Sequence, residues 1–263
     1  MKDPQELQLE LSSVCNARCA FCKRPEDLGF MDIELFKGII REFPESKEIQ
    51  PWFVGESMLH PRFIEAVEFI KSQRKRIVLY SNGSLLDEEK CEAMVSVGVD
   101  ELRISVEGHE KQLYESLRIG LDFDTVRENI ERYYHRKRKG MKLTVRVGIV
   151  PENHNQINEI VAFWKKRADH VFTMNEMPIG ERDVCGEYRF NRCHQPSKRL
   201  VVRYNGEVAL CCIDWFADMG IGNVKESSAR ELWNSPRMDE LRQLANKPKA
   251  LSLCSICRSR WIP

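Results

Sequence analysis

The sequence lacks long apolar runs and carries almost no net charge. No run of about 18 apolar residues occurs, so no segment is predicted to span a membrane. Lys and Arg number 41 against 40 Asp and Glu, so no overall field favours nucleic acid or an anionic surface. The first residues, MKDPQELQ, lack the apolar core of a secretory signal. We therefore expect a cytoplasmic protein with neither a membrane nor a nucleic acid as its partner.

Cysteine, in contrast, is abundant, with 10 residues among 263. In a reducing compartment so many thiols indicate metal sites rather than disulfides. Cys15, Cys19 and Cys22 follow a C-x3-C-x2-C spacing, and one short loop of this kind can bring each sulfur to a different iron of one cluster. A zinc site would need a fourth ligand nearby, and none follows. A structural zinc or iron–sulfur knuckle is the alternative.

Strand and helix patterns alternate up to about residue 175, beginning with a strand at residues 7–12 that leads into the cysteine loop. About six strand–helix units favour a parallel sheet that curls into a partial barrel. The further strands are predicted at residues 48–54, 76–80, 101–106, 142–150 and 170–174. The helices between them are predicted at residues 33–43, 61–72, 86–97, 124–139 and 156–167.

This alternation ends near Gly180, and a different unit follows. Two alternating runs between Leu200 and Leu210 meet at Asn205-Gly206, which predicts a β-hairpin, and residues 229–245 have the apolar spacing of a helix. Four thiolates around these elements could converge on either a [4Fe–4S] cluster or a zinc ion. The four cysteines are Cys193, Cys211, Cys254 and Cys257.

Glycine and polar residues follow several predicted strands, where barrel folds place their chemistry. These residues are Gly55, Glu56, Ser81, Asn82, Ser105 and Glu107. Glu56 could equally be a solvated loop carboxylate, and Asn82 could belong to an ordinary Asn-Gly turn. Arg146 lies among apolar residues within a strand and needs an anionic partner, which a cofactor, a substrate or a structural ion pair would supply.

The cysteine spacing, with Phe21 before the last cysteine, resembles the signature of the radical S-adenosylmethionine (radical SAM) enzymes. In that family the open iron of a [4Fe–4S] cluster holds the amino and carboxylate groups of S-adenosylmethionine. An electron then cleaves this cofactor to a 5′-deoxyadenosyl radical. The resemblance implies a (β/α)6 partial TIM barrel of α/β class, a catalytic cluster on Cys15, Cys19 and Cys22, and an electron donor of the flavodoxin or ferredoxin type.

The resemblance also implies contacts to the cofactor. Gly55 begins a G-E-x-x-L-H-P pattern similar to the family's glycine–glutamate motif, which binds the amino group, although Val54 replaces the usual first glycine. Residues 81–83, Ser-Asn-Gly, resemble the family's T-N-G turn near the cofactor. The implied cofactor-binding residues are Phe21, Gly55, Glu56, Ser81, Asn82, Ser105, Glu107 and Arg146.

The C-terminal cysteines resemble those of the SPASM and twitch members of the family, whose C-terminal extension holds auxiliary iron–sulfur clusters. The pattern C-x12-G-x4-C, followed by C-x2-C, carries this resemblance and favours a cluster over zinc. Its G-x4-C part selects Cys211 over Cys212 as a ligand. The C-x2-C is followed by no further cysteine, so we expect the shorter twitch form with one auxiliary [4Fe–4S] cluster. Cys91 is expected in the core, and Cys185 is not assigned.

These observations predict two domains, a radical SAM barrel over residues 1–178 and an auxiliary-cluster domain over residues 179–263. The resemblance is greatest to dehydrogenases, which implies oxidation of a secondary alcohol of a cyclitol or sugar-like small molecule with the auxiliary cluster as electron acceptor. Epimerisation and the cross-linking of a ribosomal peptide substrate are alternatives. A non-catalytic iron–sulfur electron-transfer protein is a further alternative, in which the Gly55-Glu56 loop would have no use.

Overall fold

A computed structural model describes residues 2–22, 26–175, 189–190, 193–247, 250–255, 257 and 261–262. The strands are β1 (Glu6–Leu9), β2 (Arg18–Cys19), β3 (Glu48–Gln50), β4 (Arg76–Ser81), β5 (Glu101–Val106), β6 (Arg118–Ile119), β7 (Lys142–Ile149), β8 (His170–Asn175), β9 (Arg189–Phe190), β10 (Arg199–Val202), β11 (Val208–Ala209) and β12 (Trp261–Ile262). The helices are α1 (Ile33–Glu42), α2 (Phe63–Ser72), α3 (Glu88–Val97), α4 (Lys111–Leu117), α5 (Phe123–Arg136), α6 (Ile157–Lys165), α7 (Gln195–Lys198), α8 (Ala229–Trp233), α9 (Pro236–Leu244) and α10 (Ser252–Ser255). Within these ranges no helix has the length and apolar character needed to cross a bilayer.

Eight strands form the main sheet, in the order β11-β10-β1-β3-β4-β5-β7-β8. Every neighbouring pair is parallel except β10 and β11, which run antiparallel as the two arms of a hairpin. Parallel strands end at the same edge of a sheet, so the loops that follow them lie side by side. The predicted α/β fold, built on a parallel sheet with a C-terminal hairpin, is confirmed.

Local signals explain most element boundaries. Asp32 caps α1, since its side chain accepts hydrogen bonds from the backbone N–H groups of Glu34 and Leu35, both at 2.9 Å. Gly98 ends α3 in the left-handed conformation, with φ of 79°, which glycine adopts without strain.

One predicted helix is wrong. The single helix expected over residues 229–245 is divided into α8 and α9. Proline lacks the backbone N–H that a helix interior requires, but it fits the first turn. Accordingly α9 begins at Pro236, and the Ser235 side chain caps it by accepting a hydrogen bond from Met238 N at 3.1 Å. Helix α4, which the apolar spacing did not indicate, also forms, between β5 and β6.

The C-terminal hairpin extends the sheet of the barrel. Strand β10 pairs in parallel with β1, with Leu200 opposite Leu7 and Val202 opposite Leu9. Strand β1 therefore lies between β3 and β10, and both cysteine-rich segments are attached to the same sheet. The domain boundary predicted between residues 178 and 179 falls outside the described residues and stays a prediction.

A buried carboxylate joins three loops at the end of β1. Glu10 is fully buried, and its two oxygens accept hydrogen bonds from Val54 N at 3.1 Å and Tyr204 N at 3.2 Å. Arg203 Nε lies 3.9 Å from the same carboxylate, and Arg203 Nη2 donates to both oxygens of Asp27 at 3.2 and 3.3 Å. The cysteine loop, the loop after β3 and the hairpin turn are thus connected through Glu10 and Arg203.

We predict that Glu10→Gln lowers the free energy of unfolding by about 1–3 kcal/mol, the cost of leaving a buried polar group without its partner. Both oxygens of Glu10 accept backbone N–H groups, and glutamine would turn an NH2 donor toward one of them. Urea denaturation measures this change.

Glu207→Gln is the matched control, because Glu207 pairs with the same arginine at 2.6 Å but its side chain is 41% exposed. An exposed pair of this type contributes about 0–1 kcal/mol. Equal losses of stability in the two variants would contradict the structural role given to Glu10.

Candidate active site

Ser13 and Gly29, on either side of the three N-terminal cysteines, are hydrogen-bonded to each other beyond the carboxyl end of β1. Ser13 N donates to Gly29 O at 3.0 Å, and Gly29 N donates to Ser13 Oγ at 2.8 Å. Cys15, Cys19 and Cys22 are all half-buried on the cysteine loop, and Cys22 N donates to Cys19 O at 3.1 Å. Residues 23–25 lie outside the described residues. The three predicted thiols therefore share one short loop that leaves each of them partly accessible.

Gly55 packs directly against the cysteine loop. A Cβ atom at this position would lie 2.3 Å from Ser12 O and 2.6 Å from Val14 O, so only glycine fits. The next residue, Glu56, donates its backbone N–H to Val14 O at 2.9 Å. The sequence suggested that glycine admits a cofactor, whereas in the structure the close neighbour of Gly55 is the backbone before Cys15.

The carboxylate of Glu56 is buried and has several partners. It accepts hydrogen bonds from Met58 N at 3.2 Å, from Ser81 Oγ at 3.1 Å and from Asn82 N at 2.8 Å. Burial raises the pKa of Glu56, and these hydrogen bonds together with the charge of Arg118 offset the shift only in part. The solvated-carboxylate alternative is wrong, because Glu56 is only 2% exposed.

Asn82 connects the end of β4 to the cysteine loop. Its Nδ2 donates to Asn16 Oδ1 at 2.9 Å and lies 4.0 Å from Cys15 Sγ, a distance compatible with a weak bond to sulfur. Its Oδ1 accepts from Ser84 N at 2.9 Å and from Ser84 Oγ at 2.6 Å. Ser81 and Asn82 thus lie with Glu56 beside the first cysteine.

Glu107 has a partner that the sequence did not reveal. Its side chain is fully buried, and Arg118 binds it through both Nε and Nη2, the latter at 2.8 Å from Glu107 Oε1. The Arg118 guanidinium also lies 5.5 Å from the centre of the Phe21 ring. Burial alone would lower the pKa of Arg118, but the Glu107 carboxylate and the nearby Cys19 thiol raise it above its ordinary value. The only sequence signal for Arg118 was a charge between the apolar residues Leu117 and Ile119.

Ser105 and Arg146 lie opposite one another in the pairing of β5 with β7, and both are half-buried. Glu107 directly follows β5, which ends at Val106. The structure therefore places Ser105 and Arg146 in the carboxyl halves of neighbouring strands, with Glu107 just beyond the end of β5. Their proposed contact with a cofactor stays a prediction.

The structure also brings C-terminal cysteines together. Burial raises the pKa of both the Cys211 and the Cys212 thiols, and the Cys257 thiol adds to both shifts. Cys193 adds to that of Cys212. Asp214 holds the following turn, since its Oδ2 accepts Leu210 N at 2.8 Å and its Oδ1 accepts Asp218 N at 3.0 Å. The Cys257 thiol is therefore near enough to both Cys211 and Cys212 to influence their pKa values.

The remaining cysteines lie on other segments of the chain. Cys254 is buried in α10, and the backbone N–H of Cys193 donates to Asn246 Oδ1 at 3.1 Å, which ties Cys193 to the segment after α9. Cys91 is fully buried in α3 within the core, as predicted. Cys185 lies outside the described residues.

The two sets of thiols fit iron–sulfur clusters by the chemistry of their donors, because soft thiolates favour iron–sulfur clusters or zinc over hard cations. The first set offers three thiols without a fourth on the same loop, and the predicted second set has four cysteines spread over separate segments of the chain. Among the described residues, no three Cys, His, Asp or Glu side chains meet around a point that would suit a single metal ion.

Family models match most of the chain. A Radical SAM superfamily model matches residues 9–163, and a SPASM model, described as an iron–sulfur cluster-binding domain, matches residues 193–258. Radical SAM domains use S-adenosylmethionine with a [4Fe–4S] cluster, and SPASM domains hold auxiliary clusters. The donor sets described above agree with both requirements.

Individual proteins resemble the chain over different lengths. A tungsten-containing aldehyde ferredoxin oxidoreductase cofactor-modifying protein of Pyrococcus furiosus is 26% identical over 192 residues, which are 68% of this chain and 53% of that protein. An S-adenosyl-L-methionine-dependent 2-deoxy-scyllo-inosamine dehydrogenase of Niallia circulans is 20% identical over 267 residues, which are 96% of this chain and 92% of that protein. The chain spans about half the length, or less, of the first curated relatives it matches.

A solved structure shows the same fold. SuiB of Streptococcus suis, bound to its precursor peptide SuiA, superposes with a TM-score of 0.76 at 15% identity, covering 98% of this chain and 71% of SuiB. The Radical SAM model alone covers more than half of the residues and includes the cysteine loop, the Gly55-Glu56 loop and the Ser81-Asn82 turn. The chain therefore belongs to the Radical SAM superfamily and carries a SPASM iron–sulfur cluster-binding domain at its C-terminal side.

Proposed function

We propose that this chain is a radical SAM oxidoreductase that dehydrogenates a secondary alcohol of a cyclitol or sugar-like small molecule. In this proposal an auxiliary [4Fe–4S] cluster held by the C-terminal cysteines would serve as the acceptor for the substrate's electron, and a flavodoxin or ferredoxin would be the external electron donor. The observation that carries the proposal is that the cysteine loop follows β1 and the hairpin leading to Cys211 pairs with that same strand. The full-length likeness to a 2-deoxy-scyllo-inosamine dehydrogenase supports the reaction type.

In the proposed site, Cys15, Cys19 and Cys22 hold the first cluster. When bound, that cluster would supply the electron for cleaving S-adenosylmethionine. This cleavage would give a radical that can remove hydrogen from an unactivated carbon. Gly55 lets the Gly55-Glu56 loop lie against the backbone before Cys15. Asn82 reaches the same cysteine through its amide group at 4.0 Å. These residues therefore set the position of the cysteine loop relative to the neighbouring strands.

Glu56 is the proposed partner of the cofactor's ammonium group. A carboxylate offers about four lone-pair positions, and the described donors are the N–H groups of Met58 and Asn82 and the hydroxyl of Ser81. The Ser81 hydroxyl lies 3.1 Å from both carboxylate oxygens, and a ligand ammonium that binds there would share these acceptors. The three existing bonds hold the carboxylate in a single orientation, which reduces the ordering needed when a ligand binds.

Cys193, Cys211, Cys254 and Cys257 are the proposed ligands of the auxiliary cluster. Four thiolates would be enough to give each iron of a [4Fe–4S] cluster a ligand from the protein. Such a set suits electron transfer rather than direct binding of the substrate. Cys212 is the competing ligand, because the thiols of Cys193 and Cys257 contribute to the raised pKa of Cys212, as Cys257 does to that of Cys211.

We predict that anaerobically reconstituted protein contains about eight irons, and that the variant combining Cys15→Ala, Cys19→Ala and Cys22→Ala retains about four. Iron analysis with metal-specific mass spectrometry checks both values. Four irons together with zinc in the unmutated protein would show that the second site is not a cluster.

We predict that Glu56→Gln weakens S-adenosylmethionine binding by about 1.5–3 kcal/mol, the usual contribution of a hydrogen bond to a charged group. Equilibrium titration of the reconstituted protein measures the affinity, and its iron content should not change. Glu101→Gln is the matched control, because Glu101 is also a buried carboxylate but lies at the amino end of β5, away from the cysteine loop, and this variant should lose stability without losing affinity. Equal affinities in Glu56→Gln and the unmutated protein would leave Glu56 with only its structural contacts.

We predict that the product is lighter than the substrate by two hydrogen atoms and that 5′-deoxyadenosine forms in equal amount. The assay offers a panel of aminocyclitols, including 2-deoxy-scyllo-inosamine, in deuterated solvent and follows products by mass spectrometry. After back-exchange of the O–H and N–H positions, a product about one mass unit heavier than the substrate, with one solvent deuterium on carbon, would indicate epimerisation. Turnover of a peptide but of no cyclitol would indicate peptide modification.

A further inference from the structure

A buried ion pair lies between β5 and the cysteine loop. The side chains of Glu107 and Arg118 are 0% and 8% exposed, and the guanidinium binds both carboxylate oxygens. The backbone of Glu107 is also held, since its carbonyl accepts Asn153 Nδ2 at 2.8 Å from the loop after β7. Two parallel hydrogen bonds to one carboxylate fix the position of the Arg118 guanidinium and therefore of its positive charge.

Arg118 contacts the cysteine loop from this fixed position. In the pairing of β2 with β6, Arg118 lies directly opposite Cys19, and Ala20 N donates to Leu117 O at 3.0 Å. The Phe21 ring, one residue before Cys22, lies under the guanidinium. Arg118 thus makes two contacts with the loop. Its backbone pairs with Cys19, and its guanidinium makes a cation–π contact with Phe21.

We propose that Arg118, held by Glu107, is a positioning residue that orders the Cys19–Cys22 half of the loop and raises the reduction potential of the cluster bound there. This inference rests on the proposed cluster at Cys15, Cys19 and Cys22. Reduction adds a negative charge to a cluster, so a fixed positive charge in a poorly solvated place stabilises the reduced form. The neighbouring Glu107 carboxylate opposes part of that effect.

The two members of the pair therefore predict shifts of opposite sign. Removing the positive charge in Arg118→Met should make the cluster harder to reduce, and removing the negative charge in Glu107→Gln should make it easier to reduce. A pair with only a structural role would give shifts in the same direction, or none, because loosening the loop does not depend on which charge is removed. The sign of each shift thus separates the two roles.

The experiment is a potentiometric titration of the reconstituted full-length protein, with dithionite as reductant and electron paramagnetic resonance as readout. The signal of the first cluster is the one that disappears in the variant lacking Cys15, Cys19 and Cys22. We expect Arg118→Met to lower the ratio of reduced to oxidised cluster at a fixed potential by about tenfold, which corresponds to about 59 mV for a one-electron couple. We expect Glu107→Gln to raise that ratio.

Arg103→Met and Glu101→Gln are the matched controls. Arg103 donates to Glu101 at 2.5 Å on the same strand, but Glu101 lies at the opposite end of β5 from Glu107. Neither control should move the potential of the first cluster. Thermal unfolding of the four variants, each prepared without iron–sulfur clusters, measures any loss of packing. This measurement is independent of the reduction potential.

Several results would overturn the inference. Unchanged potentials in Arg118→Met and Glu107→Gln, shifts of the same sign, or equal shifts in the controls would each do so. If Arg118→Met assembles no first cluster, the sign of the Glu107→Gln shift decides alone. If the unmutated protein assembles no first cluster, the proposed function fails as well, and the iron analysis detects that case independently.

Discussion

The position of β1 between β3 and β10 is the constraint on which the rest of the structure depends. Because all three strands are parallel, the cysteine loop, the Gly55-Glu56 loop and the hairpin turn leave the sheet at the same edge. The barrel and the C-terminal hairpin thereby share one set of backbone hydrogen bonds. Separating the two thiol sets would require breaking a strand pair, not merely loosening a surface contact.

Buried carboxylates organise the loops at this edge. Glu10, Glu56 and Glu107 follow the strands β1, β3 and β5, and each is almost completely buried. Burying a charge is unfavourable unless hydrogen bonds or an opposite charge compensate for it. Backbone N–H groups compensate Glu10 and Glu56, and the Arg118 guanidinium compensates Glu107. Each carboxylate therefore fixes a loop in place, because moving the loop would leave the charge without its partners.

The cysteine loop is held from several directions, although its thiols stay partly accessible. Gly55 contacts the backbone before Cys15, Asn82 approaches Cys15 itself, and Arg118 lies opposite Cys19. These contacts come from three different parts of the sheet edge. A loop supported in this way can present sulfur atoms in a set arrangement while solvent and small molecules still reach them.

The sequence by itself determined the features that depend on local spacing. The C-x3-C-x2-C run, the alternation of strands and helices and the Asn205-Gly206 turn each depend on residues close together in the chain, and these predictions of fold and family are confirmed. Pro236 is also a local signal, because it indicates that the helix predicted over residues 229–245 is interrupted. The apolar residues on both sides of Pro236 continue the helical spacing, and for this reason a single helix was predicted. Only the tertiary structure decided that Arg118 is the partner of Glu107, that Glu10 meets Arg203, and that the hairpin joins β1. The paired residues lie 11 to about 190 positions apart in the sequence. The pairings follow from the order of strands in the sheet, and the spacing of apolar residues along the chain carries no information about that order.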